Sequence, residues 1–596
     1  MIDIAELLLL GISDQQEVEK EFYKHCYCQS GALSQHALIS KQMLNARYSS
    51  LFPDAEDVAT PVSFKKDKPQ LTPEILAEAI SNHPIALVGD VGVGKSSFLK
   101  HLMYVSAFAE FQHAIYAYVD LGRKGALWND VPALVLEQIE TALIEKHDID
   151  ITEATFVRSV YKKDIRRFDR SIYGEAKEAN HRLYQEKLFG LLSEKQSSKA
   201  EHLRNCIDYL SRERRKQVIV AVDNADQRSI TVQQEAFIIA QNLAAEWKAT
   251  VFISVRPRTF FISKRSGALS AYPHRIFTIA PPRIDEVIDR RLRFAKDIAE
   301  GKLHLQRLQG ISFKLGNMAT LIKVLLESID RSDDVKLFLE NITGGNVRLL
   351  IEFLASMFGN PNVDLQGVII GLEQSQRYFV PVHDFWKVAL RGNYNYFDPE
   401  KVTAANLFAV QTDDAREHFL LPLILALLDE SAPRRTAEGF VDYSVLKDEL
   451  QSLGYRPAVI DATLRMANNK KLIESPERIT FEEDEDGAYG FVPRAFRINT
   501  IGAYHLKTWM TSVTYMDAMV VDTPIFEENT AEELRRTIRS MKLSDRYQRA
   551  VRFRDYLTNV WIASGMTPSY FDWDAFCGQG QHTFDSVHAS ISRRAH

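Results

Sequence analysis

The sequence predicts an α/β fold, a parallel sheet flanked by helices, with a long helical region after it. Three observations carry this. An apolar run from Pro84 to Val88 ends in Gly89-x-x-x-x-Gly94-Lys95-Ser96 and opens an amphipathic helix. Further apolar runs of strand character stand at 114–120, within 217–226 and over 250–257. One of them ends in an acid, Asp223, at the strand end where open α/β sheets bind ligands.

The glycine stretch comes first because it states the chemistry. Gly89, Asp90, Val91, Gly92, Val93, Gly94, Lys95, Ser96 and Ser97 form the expected phosphate-binding set. Glycines let successive backbone N–H groups converge on a polyphosphate without Cβ clashes. Lys95 is expected to reach the β- and γ-phosphates, and the Ser96 hydroxyl to hold Mg²⁺. Strand, phosphate loop and helix in this order make the expected fold class an α/β P-loop NTPase, with ATP and Mg²⁺ as its cofactors.

Composition sets the outer bounds. A chain of 596 residues is too long for one ordinary core. It is 45% hydrophobic and 26% charged, as globular proteins are. A net charge of −6 gives no general support for nucleic-acid binding, though a local patch remains open. The four cysteines, Cys26, Cys28, Cys206 and Cys577, lack the paired spacing of a zinc site, even with His25 and His36 nearby. Reduced thiols and a cytoplasmic location are expected. No apolar run spans a bilayer, and the acids Asp3 and Glu6 argue against a signal peptide.

Taken in order, residues 1–70 read as an N-terminal helical region and a linker rich in Pro, Asp and Lys over 52–70. A capped helix is expected from Thr72-Pro73-Glu74. The nucleotide domain covers 71–283. Its loop helix is expected to run to about Ala109, and residues 130–212 form a helical insertion between two strands. The run Lys162, Lys163, Arg166, Arg167 and Arg170 in that insertion reads as a solvated face, because Asp164, Asp169 and Glu175 are interleaved; a phosphate or nucleic-acid patch is the other reading.

Asp223 is the expected carboxylate that orders the Mg²⁺ water shell. Asn224 follows it, and an amide can orient water but is a poor base. Asp226 is the better candidate to polarise the attacking water, its other reading being a helix cap. Arg256, closing Ser254-Val255-Arg256-Pro257, is expected at the ligand edge of the sheet beside the phosphates, the other reading being an exposed loop arginine.

The remaining segments are expected as a helical lid over 284–400, a winged-helix domain over 401–505 and a helical C-terminal region over 506–596. The winged helix rests on helices at 420–428, 443–453 and 457–467 and strands at 471–474, 479–481 and 491–496. Its basic residues Arg456, Arg465, Lys470 and Lys471 face an acidic wing at 482–486, which argues against a DNA reader. Repeats are absent.

Gly89-x4-Gly94-Lys95-Ser96, Asp223-Asn224-Ala225-Asp226 and Ser254-Val255-Arg256-Pro257 together resemble the STAND branch, NACHT-like, of the AAA+-related P-loop NTPases. Thr343-Gly344-Gly345-Asn346-Val347-Arg348 resembles the sensor-2 lid turn of AAA+ and origin-recognition ATPases. The resemblance implies an ASCE-type parallel sheet and an ATPase switch. It implies self-association and a separate effector or partner protein, as in prokaryotic antiviral defence. Arg348 would then touch the γ-phosphate from the lid; a helix-surface arginine is the other reading. A DNA-associated ATPase and a nucleotide-binding scaffold without turnover are the competing functions.

Overall fold

The computed structural model describes residues 16–28, 83–90, 92–122, 130–225, 228, 230–247, 249–257, 260, 275–300, 302, 315–357, 360–363, 379–430, 439–476 and 493–595. The chain divides into two compact units, one over Gln16–Pro282 and one from Arg283 onward.

The first unit is built on five parallel strands. They are β1 (Ile85–Val88), β2 (Ala114–Asp120), β3 (Gln217–Asp223), β4 (Thr250–Val255) and β5 (Arg275–Thr278), in the order β2-β3-β4-β1-β5. β4 therefore lies between the strand that feeds the glycine loop and the strand that ends in Asp223, the inserted strand that the ASCE-type expectation requires. These strands read as apolar throughout because both faces are covered. On one face Leu87, Tyr116, Ala221 and Phe252 pack on Phe98, Leu99 and Leu102. On the other, Val119, Val220, Val222 and Ile253 pack on Leu134, Ile139, Ile207 and Phe237. Burial of each such aliphatic or aromatic side chain contributes about 1.5–3 kcal/mol.

One helical segment departs from expectation. The helix after the loop is not continuous. An α-helix over Lys95–His101 passes into a π turn, Leu102–Ser106, before a second helix over Phe108–Gln112. Ala107 N–H reaches back five residues to the Leu102 carbonyl (2.8 Å), the widened register that defines such a turn. The helix Gln16–Cys26 packs on this element, with Glu19 accepting from Lys100 (2.7 Å) and from the Tyr104 hydroxyl (2.7 Å). The expected linker over 52–70 and the helix from Thr72 lie outside the described residues.

The second unit is mainly helical. Helices over Ile284–Ala299, Leu315–Arg331, Asp333–Thr343 and Val347–Met357 come first. Further on, helices over Leu420–Asp429, Tyr443–Ser452 and Pro457–Asn469 accompany a small antiparallel sheet of β6 (Val441–Asp442), β7 (Ile473–Glu474) and β8 (Ala495–Ile498), ordered β6-β8-β7. The third strand thus falls at 495–498, displaced from the 491–496 expected, and β6 is an addition. The expected strand at 479–481 and the acidic wing lie outside the described residues. Among the described residues, no helix is long and apolar enough to cross a membrane.

Candidate nucleotide site

The loop leaves β1 at Gly89 and turns into the helix at Lys95. Gly92 (φ 78°) and Gly94 (φ 102°) take the left-handed conformations that side chains resist. Gly89 is needed for space. A Cβ there would stand 2.8 Å from Val93 Cγ2 and 2.9 Å from the Ile279 carbonyl oxygen. Lys95 is buried, and its ammonium donates to the carbonyls of Gly89 (2.8 Å) and Asp90 (3.0 Å). The loop is thus wrapped round its own lysine, which places a positive charge at its centre. Ser96 and Ser97 occupy the first turn, both partly buried. Val91 lies outside the described residues.

The sheet brings the other candidates to the same edge. Strand alternation puts Asp223 on the face that carries the loop helix, because Ile219 and Ala221 pack there while Val220 and Val222 pack opposite. Asp223 is 1% exposed. Its Oδ2 accepts from the Tyr118 hydroxyl (2.6 Å), and among the described residues it has no cationic partner. Burial first, then the Asp223 charge and this hydrogen bond, push the Tyr118 phenol far above its ordinary pKa. A buried carboxylate held only by a neutral phenol is costly unless a cation joins it. The residues therefore fit Mg²⁺, with Ser96 and Asp223 as hard oxygen ligands. Arg256 follows β4 directly. Gly89 N–H donates to the Val255 carbonyl (3.4 Å), so Arg256 leaves the sheet beside the first loop glycine.

One group was not anticipated. Asp120 ends β2 directly across from Asp223 in the strand register. Its Oδ1 accepts from the Asn224 amide (2.8 Å) and from Gly122 N–H (2.9 Å). Asn224 itself sits at φ 57°, which asparagine tolerates better than most residues. Asp120 thus holds the Asn224 side chain, and Tyr118 holds that of Asp223. A signal existed in the sequence: the run at 114–120 ends in an acid just as 217–223 does. That the two strands are neighbours is not a local property.

Asp226 lies outside the described residues. Arg348 belongs to the second unit, exposed on the first turn of the helix Val347–Met357. The expected turn is present there. Gly344 closes the preceding helix at φ 55°, and the Asn346 side chain caps the next by accepting from Arg348 N–H (3.0 Å) and Leu349 N–H (3.2 Å). The pair Cys26 and Cys28 is buried, and no cluster of three or more metal-ligating side chains occurs among the described residues.

No family model matches the chain, and no curated protein matches it. Among solved structures, the chain is similar to Cdc6p from Pyrobaculum aerophilum, at 13% identity and a TM-score of 0.30 over 75% of this chain and 92% of that one. It is also similar to a Walker-type ATPase of Pyrococcus abyssi, at 14% identity and a TM-score of 0.29 over 72% and 93%. Superpositions this loose carry no argument, and the assignment of the site rests on its own residues.

Proposed function

We propose that this chain binds ATP with Mg²⁺ at the β1 loop and hydrolyses it as a molecular switch of the AAA+-related P-loop class. The observation that carries this is Lys95, buried at the centre of a glycine loop, with Asp223 at the carboxyl end of β3, one strand removed in the same sheet, without a cationic partner among the described residues. In this reading the loop N–H groups and Lys95 hold the phosphates. A bound Mg²⁺ would supply charge stabilisation to the phosphates. Ser96 and Asp223 hold it, with Tyr118 fixing the Asp223 carboxylate. Arg256 pairs with the terminal phosphate from the sheet edge, and Asp226 polarises the attacking water. The STAND-like assignment, the lid with Arg348, self-association and a separate effector protein belong to the same proposal.

Titration of a fluorescent ATP analogue tests it. Wild type should bind, and Lys95→Ala should weaken binding at least about 100-fold, since a charge-assisted contact set is lost. Equal affinity in the two proteins would sink the loop assignment. Phosphate release then separates the switch from a scaffold without turnover.

The small sheet and its three helices support a winged-helix reading of the second unit. A DNA-reading role for that element is less well supported. Lys470 donates to the Val402 carbonyl (3.0 Å), and Arg456 to the Thr412 hydroxyl (2.7 Å), so two of its four basic side chains are engaged within their own unit.

A further inference from the structure

The helical insertion of the first unit carries a cationic stripe that the nucleotide site does not use. Between Arg158 and Arg170 there are six basic residues against two acids, in a chain whose net charge is −6. The helix Lys162–Asp169 has no buried residue. Lys162, Lys163, Arg166, Arg167 and Arg170 are all exposed. At about 100° and 1.5 Å per residue, these five lie within an arc of about 140° along about 12 Å of helix.

The interleaved acids were the reason to read this run as a self-neutralised, solvated face. Two of the three, Asp164 and Asp169, are engaged elsewhere, and Glu175 lies beyond the helix Lys162–Asp169. Asp164 lies on the far flank and pairs with Lys195 (3.7 Å). Asp169 pairs with Lys177 (3.7 Å) and accepts from the Tyr184 hydroxyl (2.6 Å). Among the described residues the five cations of the stripe have no side-chain hydrogen bond or ion pair. The side away from the stripe is held by the protein. Ile165 and Phe168 are half-buried, and Phe168 stacks with Tyr173 (5.8 Å) and meets Tyr184 (5.6 Å).

We infer that this stripe is a docking surface for the phosphate backbone of a nucleic acid, bound without regard to sequence. Charge complementarity selects the partner. Five unpaired cations in two ranks on a rigid helix present a fixed row of positive charge, as a phosphate backbone requires. A membrane-surface helix needs an apolar face to insert, and within this stripe every side chain is charged. The inference is independent of the nucleotide site.

The test is anisotropy of a labelled 30-base-pair duplex of arbitrary sequence against the full chain, repeated across salt concentrations. Five phosphate contacts predict a slope of log K on log salt of about −4 to −5. The variant K162E/K163E/R166E/R167E should lose measurable binding at every salt concentration, with its thermal unfolding unchanged. Lys95→Ala should bind the duplex as wild type does, which keeps failure of the nucleotide reading distinct. A wild-type slope shallower than about −3, or equal binding by the charge-reversed variant, overturns the inference. So does binding to vesicles containing phosphatidylserine with none to the duplex. If the fourfold variant loses its fold, K163E/R167E carries the test. It should weaken duplex binding at least about tenfold at low salt, and wild-type affinity in it overturns the inference.

Discussion

Two buried carboxylates, one in each unit, show how differently a charged group can be used. In the second unit Asp517 accepts from Arg391 (3.0 Å), Arg546 (2.8 Å) and Arg549 (2.7 and 3.1 Å). Arg549 goes on to the Ser540 carbonyl (2.9 Å). That acid is more than compensated, and it ties the helices Val382–Arg391, Val513–Met519 and Leu543–Ser564 together. In the first unit Asp223 is just as buried but, among the described residues, holds one neutral phenol, at the strand end of the sheet that carries the glycine loop. A carboxylate saturated by guanidinium groups holds structure. One with a single neutral partner at a ligand edge is left able to take a cation. Burial alone does not separate the two cases; the partner set does.

The largest expected effect breaks the structural member. Asp517→Ala strands three guanidinium groups and should cost about 3–5 kcal/mol of stability in the second unit. Denaturant unfolding measures it, and nucleotide affinity of the folded protein should stay at the wild-type value. A loss under about 1 kcal/mol would remove Asp517 as the tie.

Next comes a pH effect confined to the same unit. His505 donates through Nδ1 to the Ile501 carbonyl (2.8 Å) and accepts through Nε2 from Ala405 N–H (3.2 Å), so it is built in as the neutral ring. Burial lowers its pKa to about 4. Unfolded, it takes a proton near pH 6.5, so between 6.5 and 4 the unfolded chain binds the extra proton. Its contribution is complete above pH 6.5 and is lost as pH falls toward 4, on the order of 3 kcal/mol at the acid end. His505→Gln should flatten this part of the stability curve, measured by urea unfolding at several pH values. An identical curve would show that other groups carry the acid loss.

At the site the effects are smaller in stability and larger in binding. Gly89→Ala drives a methyl into Val93 and the Ile279 carbonyl. It should cost about 1–3 kcal/mol, as overpacking does, and weaken nucleotide binding. Calorimetry of both properties reads it, and unchanged affinity would mean the loop tolerates the shift. Tyr118→Phe is comparable, and the smallest once a cation is bound. Loss of one hydrogen bond to a charged acceptor should cost about 1.5–3 kcal/mol, or less if a cation takes over the freed oxygen. The informative measurement is therefore Mg²⁺ dependence. A cost that Mg²⁺-nucleotide largely removes supports Asp223 as a metal ligand, and a cost independent of it makes Asp223 a second Asp517.

Much of this was open to reading in one dimension. The glycine loop is legible because its chemistry needs contiguous residues: Gly89, Gly94, Lys95 and Ser96 act as one local turn. The strands at 114–120, 217–223 and 250–255 are legible because burial on both faces leaves unbroken apolar runs. The π turn at Leu102–Ser106 was not, since no residue pattern in that stretch marks it; nor was the stacking of Tyr27 on the preceding His101 (4.0 Å), from a segment far upstream.

The sequence by itself determined the glycine loop, the core strands, the acid that closes β3 and the helical character of the insertion and of the C-terminal half. Those features follow from composition and spacing within a few residues. Only the tertiary structure decided that β2 lies beside β3, so that Asp120 takes hold of Asn224. It alone gave Asp223 a phenol for its partner and turned Asp164 and Asp169 away to Lys195 and Lys177. The physical reason is the same each time. A side chain's charge is written in the chain, but the partner that satisfies it is chosen by strand order and helix packing between segments distant in sequence.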